Sequence, residues 1–417
     1  MNPRRIMAAA QLGMAEIILD EGVEWHCAQC HLCSERCPRD VDPALIIISL
    51  QNMAVRGEFQ YPRALAMILE AVGETGFIQM PREVVGRDFE VYERESLGLP
   101  ELRPIGDESF KRALKEAEAL ELPPMRIEKA LKAVEAERGL ALYLGCTIPT
   151  EQYAYELSSK ESLKALGVDV VDVDGFSCCG YPLRSYSLTL WLYLSARNLA
   201  VAEGEELDLL PLCNGCYLSL REAKALLDSY GSLREAVDRL LGVEGLEYRG
   251  GVEVHHLLDI LSRKVEAGGV RLRLAAHYGC HAIRPSSLGR EDPEEPRTLD
   301  RLIERLGALS VEYPEKLDCC GASLILSQPE AAYKIAGAKL QSLRRLKVDA
   351  LIDVCPFCHR MYDAGQDAIR NLMGVEISLP VLYYTQLLGL SFGISGERLG
   401  LNLNLSPIDE LLERIEI

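Results

Sequence analysis

The chain has 417 residues, 48% of them apolar, a formal charge of -18, fourteen cysteines and seven histidines. That charge excludes a nucleic-acid groove as the main function, because phosphate binding depends on clustered Lys and Arg that displace counterions. An unexceptional Gly and Pro content excludes fibrous and disordered architectures, and the length predicts two to four domains at roughly 100–200 residues each.

The first segment, MNPRRIMAAAQLGMAEIILDEG, opens with two arginines, but Gln11, Glu16 and Asp20 interrupt its apolar run. It has neither the core nor the cleavage site of a signal peptide, so the expected location is cytoplasmic. Thiols stay reduced there, which makes ligation rather than disulfide bonding the expected use of the cysteines. The next stretch, WHCAQCHLCSERCPRDVDP, places Cys27, Cys30, Cys33 and Cys37 in the spacing C-x2-C-x2-C-x3-C-P. Three thiolates two residues apart can wrap the corners of a cubane, and the proline stops the chain continuing as helix, which predicts one cubane [4Fe-4S] cluster. Zinc competes poorly for three such closely spaced sulfurs plus a fourth. In two-cluster ferredoxins the fourth cysteine of each run serves the other cluster, and with only one run here Cys37 either closes its own cluster or leaves a position for another ligand. His26 and His31 read as packing residues or as donors to sulfide. Residues 1–94 are expected to form a helical ferredoxin-like module. Residues 95–138, with Pro100, Pro104, Pro123 and Pro124, read as a linker and connecting helix.

The remaining ten cysteines form two sets with one pattern. Cys146, then Cys178 and Cys179, then Cys213 and Cys216 make the first; Cys280, then Cys319 and Cys320, then Cys355 and Cys358 make the second. Each reads C, C-C-G, C-x-x-C, which predicts duplicated domains over 139–265 and 266–417. An apolar run precedes each group: GLALYLGC, VDVVDVDGFSCCG and LDLLPLCNGC, then RLRLAAHYGC, LSVEYPEKLDCCG and DALIDVCPFC. Amphipathic segments such as SLTLWLYLSARNLAVAE and AAYKIAGAKLQSLRRLK alternate with them. The expected fold is therefore α/β, with two pseudo-symmetric domains whose parallel sheets bring all strand ends of a unit to one edge, where ligands bind. Vicinal cysteines cannot readily bridge, since neighbouring Cα atoms are ~3.8 Å apart. Gly180 and Gly321 are expected to turn the backbone at positive φ or close to an inorganic core. Five sulfurs exceed the needs of tetrahedral zinc or a plain cubane; a four-cysteine zinc site and metal-free redox thiols are the competing readings. His281 and His359, each directly after a cysteine, are the nearest proton-donor candidates by sequence, with His277 weaker and His255 and His256 at a helix start. The uncharged stretch Ile377–Gly396 just reaches spanning length, but Pro380 and its polar residues predict a buried strand or loop and a core helix instead of a membrane span.

These ten cysteines resemble the cysteine-rich CCG domains of the heterodisulfide reductase B-type subunits and their relatives, over Ala141 to roughly Gly393. The resemblance implies two noncubane [4Fe-4S] clusters, one on Cys146, Cys178, Cys179, Cys213 and Cys216, the other on Cys280, Cys319, Cys320, Cys355 and Cys358, with a disulfide reduced or formed between them. The stretch from Trp25 to Phe59 is similar to the second ferredoxin motif of the C-type subunits of the same reductases, with the first motif missing, so a partner chain or a second copy is expected to complete the module. No G-x-G-x-x-G opens a strand-to-helix turn, so flavin is expected on a partner flavoprotein subunit, through which the chain could also sit at a membrane. CCG domains also occur in electron-transfer subunits of flavin-linked dehydrogenases and of sulfur-oxidising complexes. A relay with no bond chemistry of its own is accordingly the alternative function.

Overall fold

The computed structural model describes residues 2–57, 59–127, 138–266, 268–288 and 290–415. The first segment is helical: Pro3–Gln11, Ala15–Glu21, Pro43–Arg56 and Arg63–Thr75 surround a small core that includes Ile6, Ile18, Leu19, Trp25, Ile47 and Leu50. Asp42 starts the third of these helices, its carboxylate accepting from Leu45 N at 3.1 Å, with Pro43 at the first helical position, where its missing N–H costs nothing. A two-stranded antiparallel ribbon, β1 (Val84–Val85) and β2 (Val91–Tyr92), follows. The connecting stretch carries a helix over Glu108–Ala119 capped by Asp107; its portion at 128–137 lies outside the described residues.

Each apolar run ahead of a cysteine group is a strand. β3 (Leu140–Tyr143), β4 (Val170–Val171) and β5 (Asp208–Pro211) form one parallel sheet in the order β4-β3-β5. β6 (Arg273–His277), β7 (Leu309–Ser310), β8 (Ala350–Asp353) and β9 (Val381–Tyr383) form the other, in the order β7-β6-β8-β9. The two orders match once a single parallel bridge, Leu209 to Val254, is recognised as the first unit's counterpart of β9. Successive side chains along a strand face opposite ways. Leu140, Leu142 and Leu210 accordingly join Leu274, Ala276 and Ile352 in one apolar core, while Ala141, Tyr143 and Leu209 join Ala275 and Leu351 in another. The stretch Ile377–Gly396 gives β9 and the helix Tyr384–Ser391, which packs on Tyr153–Ala165 of the first unit through Ser158 Oγ and Thr385 Oγ1 at 2.8 Å. No helix among the described residues is long and apolar enough to cross a membrane.

Both C-C-G turns depend on their glycine. Gly180 and Gly321 have φ of +80° and +85°, a region that costs side-chain-bearing residues steric energy. A Cβ on Gly180 would also lie 2.8 Å from Trp191 Cα, and one on Gly321 would lie 2.8 Å from the Ala332 carbonyl oxygen. Backbone cannot yield as a flexible side chain can. Gly180→Ala is therefore expected to destabilise the chain by about 3 kcal/mol or more, seen as a lowered anaerobic thermal midpoint; an unchanged midpoint would show that the turn tolerates a side chain.

Candidate functional site

The strand order brings ten thiols to adjoining sheet edges. Cys146 follows β3, Cys213 follows β5, Cys280 follows β6 and Cys355 follows β8, while the C-C-G loops follow the short edge strands. In each unit the C-x-x-C opens a helix, Asn214–Ser229 or Pro356–Tyr362. All ten are buried except Cys319, which is partly so. Neighbouring thiols interact in an unbroken order: Cys146, Cys178, Cys179, Cys216 and Cys213 in the first unit, then Cys355, Cys358, Cys320, Cys319 and Cys280 in the second. The Cys213–Cys355 interaction joins the two sets. Cys280 Sγ and Cys319 Sγ are 4.0 Å apart, and the backbone N–H groups of Gly180 and Gly321 donate to Cys178 and Cys319 at 3.4 and 3.3 Å.

The run Cys27, Cys30 and Cys33 continues this row. Its thiols interact with one another, and Cys30 and Cys27 lie close enough to Cys319 for each to be felt electrostatically. Cys37 follows the short helix Leu32–Glu35 and is half-buried. Burial pushes the Cys27 thiol up to about 12 and the Cys30 thiol up to about 11. Cys319 is instead held well below the ordinary thiol range, chiefly by its interaction with Cys280 and then with Cys320.

These surroundings fit iron–sulfur groups in three ways. The donors are soft sulfurs, which select iron–sulfur clusters, zinc or Cu(I) over hard cations. Among the described residues no three or more His, Cys, Asp or Glu side chains are arranged to hold one metal ion, while five thiols converge in each unit. The glycines before Cys146 and Cys280 keep that space clear: a Cβ on Gly145 would come within 2.7 Å of Cys216 Sγ, and one on Gly279 within 3.3 Å of Cys358 Sγ. Finally, buried donors wait without partners. Arg184 and Arg284, each 1% exposed, have free Nε and Nη1 groups, and neither ring nitrogen of buried His31 is paired. Arg284 acts electrostatically on Cys30. Burial, followed by the Arg184 charge, holds His31 well below its ordinary range and so uncharged. Arg184 is paired through Nη2 with Glu222 at 2.7 Å, whereas the Arg284 guanidinium donates to the Leu317 carbonyl at 3.0 Å; a buried guanidinium without a carboxylate beside it is costly unless another negative group offsets it.

The structure separates the histidine candidates. His281 lines a cavity beside the second cysteine set, with Nε2–H donating to the Gln29 carbonyl at 2.8 Å. His359 is held by Asp353 through Nδ1 at 3.1 Å and stacks on Tyr383 at 3.8 Å between ring centroids, a structural engagement away from the cavity. His277 pairs with Lys339, His255 with Asp208, and His256 with Asn214 while capping the helix Leu257–Lys264. His26 is exposed.

Sequence reasoning missed two residues that tie the units together. Asn214 donates to the Tyr278 carbonyl at 2.8 Å, linking the first C-x-x-C to the loop before Cys280. Tyr181, from the first C-C-G turn, reaches the second unit, where its hydroxyl meets Ser323 Oγ at 3.1 Å and its ring packs edge-on against His281. The signal was a break in the repeat: C-C-G-Tyr181-Pro182 against C-C-G-Ala322-Ser323.

Comparison with known proteins agrees with this arrangement. The cysteine-rich CCG domain model matches residues 140–221 and again 274–363. Over 66% of its length the chain is 37% identical to 96% of the B-type subunit of the ferredoxin/F(420)H(2)-dependent CoB-CoM heterodisulfide reductase of Methanosarcina acetivorans. A smaller part, 29% of the chain, is 33% identical to 70% of the C-type subunit of the ferredoxin:CoB-CoM heterodisulfide reductase of Methanosarcina mazei. Among solved structures, a hypothetical protein from Helicobacter pylori shares the fold with a TM-score of 0.57 and 17% identity, over 73% of this chain and 58% of that one.

Proposed function

The chain belongs to the family of heterodisulfide reductase B-type subunits, joined to a C-type part, and we propose that it reduces or forms a disulfide at its two five-cysteine sites, fed from the Cys27–Cys37 run. An iron–sulfur oxidoreductase or electron-transfer role follows from the family and its cysteine-rich domains. The observation that supports the finer reading is the continuous row of thiols from Cys146 through the Cys213–Cys355 contact to Cys30 and Cys27. A disulfide consumes two electrons and two protons to give two thiols. Iron–sulfur clusters, when bound, supply electrons one at a time, so two complete sites in contact match the stoichiometry.

In this reading, one cubane cluster is held by Cys27, Cys30 and Cys33, with Cys37 or a partner group closing it. The two noncubane clusters are held by the first and second five-cysteine sets. Apolar side chains, among them Trp25, Leu65 and Ile325, line the space beside the second set. His281 sits at that wall with its Nε2–H committed to the Gln29 carbonyl, which fixes its tautomer and leaves Nδ1 as an acceptor. A flavoprotein in the same complex is the proposed electron source.

Anaerobic iron, sulfide and zinc analysis, combined with electron paramagnetic resonance with and without disulfide or thiol, tests the proposal. About twelve irons per chain and a signal that changes with thiol are expected. About eight irons with one zinc would end the two-cluster mechanism. A full iron content without any response to disulfide or thiol would establish the relay instead.

A further inference from the structure

We propose that Lys339 holds a fixed positive charge beneath the second five-cysteine set, which makes that set a stronger electron acceptor than the first and the place where a delivered electron comes to rest. This rests on the reading that each set holds an iron–sulfur cluster, and adds the direction of electron flow between them.

The two units differ beneath their cysteines. The glycine of each C-C-G turn packs on the helix that follows, Gly180 on Trp191 of Leu188–Gly204 and Gly321 on Ala332 of Pro329–Arg345. Two turns further along, the first helix carries Asn198 and the second carries Lys339, both buried. Asn198 is neutral and fully engaged: its Nδ2 donates to the Cys178 and Leu194 carbonyls at 3.1 and 2.8 Å, and its Oδ1 accepts from Ser177 N at 2.8 Å. Lys339 is 1% exposed, and its Nζ faces three acceptors, His277 Nδ1 at 2.9 Å, the Asp318 carbonyl at 2.8 Å and the Lys316 carbonyl at 3.5 Å. Three acceptors call for three N–H groups, the number that only the ammonium form carries. The rings of Tyr313 and Tyr362, with centroids 5.9 and 5.7 Å from Nζ, add cation–π attraction.

Among the described residues no carboxylate forms an ion pair with this ammonium. A buried cation without a paired anion is costly, and the groups that offset it belong mostly to the second set. Burial lowers the ammonium to about 8, while the Cys358 and Cys320 thiols, the exposed Asp318 carboxylate and the Cys319 thiol oppose this. The attraction is mutual: a charge that the sulfurs stabilise also stabilises electron density placed among them. Reduction adds a negative charge to a cluster, and net charge is one of the quantities that set its potential. One electron leaves the first set, which is oxidised, and enters the second, which is reduced, with no proton required.

Redox titration of the cluster-loaded full chain with dithionite, followed by electron paramagnetic resonance, tests this. At one ambient potential the reduced-to-oxidised ratio of the second set is expected to exceed that of the first by ~10-fold or more, about 59 mV for a one-electron couple. The higher-potential signal should vanish in Cys280→Ala and survive in Cys146→Ala, the cysteines at the two ends of the ten-thiol row. In Lys339→Met the ratio at the second set should fall by ~10-fold at unchanged iron content, with the first set unmoved, and Lys339→Arg should keep the original ratio. Lys339→Asn, which copies the first repeat, should shift the second set equally and carries the test if Lys339→Met loses iron. Full iron with both potentials unchanged in the neutral variants, an equal shift in Lys339→Arg, or a higher-potential signal that vanishes with Cys146 would overturn the inference. Ordered potentials without any response to disulfide or thiol would leave it standing and remove the disulfide chemistry, whereas zinc in place of iron at either set would remove both.

Discussion

Replacing Cys355 by alanine is expected to lower disulfide turnover by about 10³-fold or more and to remove the thiol-dependent paramagnetic signal, while the iron of the Cys27–Cys37 run remains. Cys355, like Cys213 in the first unit, combines three positions. It follows β8, it precedes the helix Pro356–Tyr362, and it interacts with Cys213 of the opposite unit. Its loss therefore takes a proposed ligand from the second site and breaks the row of thiols where it passes from one unit to the other. The folded chain should survive, because the substitution removes one buried sulfur and leaves the extended backbone at 355 unchanged. Iron and sulfide content, turnover and the paramagnetic spectrum of the same preparation check this. Full iron with an unaltered thiol response would show that Cys355 is dispensable, and the two-site proposal would fall with it.

Arg94→Leu is expected to destabilise the chain by about 3–5 kcal/mol. Arg94 follows the β1–β2 ribbon and reaches into the first unit, where its Nη1 and Nη2 meet Glu156 at 2.6 and 3.0 Å. Glu156 is completely buried, Arg94 is 7% exposed, and Lys160 adds a second cation at 2.9 Å. The guanidinium also donates to the carbonyls of Pro100 and Pro149. Removing it leaves a buried carboxylate with half its counter-charge and two carbonyls without their donor. The anaerobic denaturation midpoint measures the loss, and a paired Arg94→Leu/Glu156→Leu chain should recover most of it, since apolar replacement of both partners removes the stranded charge. A double variant no better than the single one would place the cost in packing rather than in charge.

Much of this architecture was legible because cysteine spacing and strand punctuation coincide. Runs such as LALY and ALID are apolar on both faces, as buried parallel strands require, and the thiols at their ends fix the active edge. The edge strands were harder to delimit: in VDVVDVDG only Val170 and Val171 pair, since an edge strand has one neighbour to hold it. The segment RMYDAGQDAIRNLMG has helical periodicity throughout, yet it divides into Pro356–Tyr362 and Gln366–Met373. The Asp363 carboxylate accepts from the backbone N–H groups of Leu405 and Ser406 at 2.8 and 2.7 Å, a tertiary demand that local pattern does not encode. The same holds for the site. The cysteines announce themselves, whereas Tyr181, Arg284 and Lys339 matter through contacts with residues remote in sequence, and periodicity carries no information about which distant group a polar side chain will face.

The interaction between the Cys213 and Cys355 thiols, with Asn214 and Tyr181 reaching across the same seam, has a consequence for how the molecule can move. Many two-lobed proteins admit their ligand by swinging the lobes apart and closing again. Here such a swing would pull apart Cys213 and Cys355 and, on the proposed reading, lengthen the electron's path between the two sets. On the proposed reading a seam that stays shut keeps both cysteine sets in one row, and the duplicated halves then act as one conductor rather than as two lobes that part and meet again.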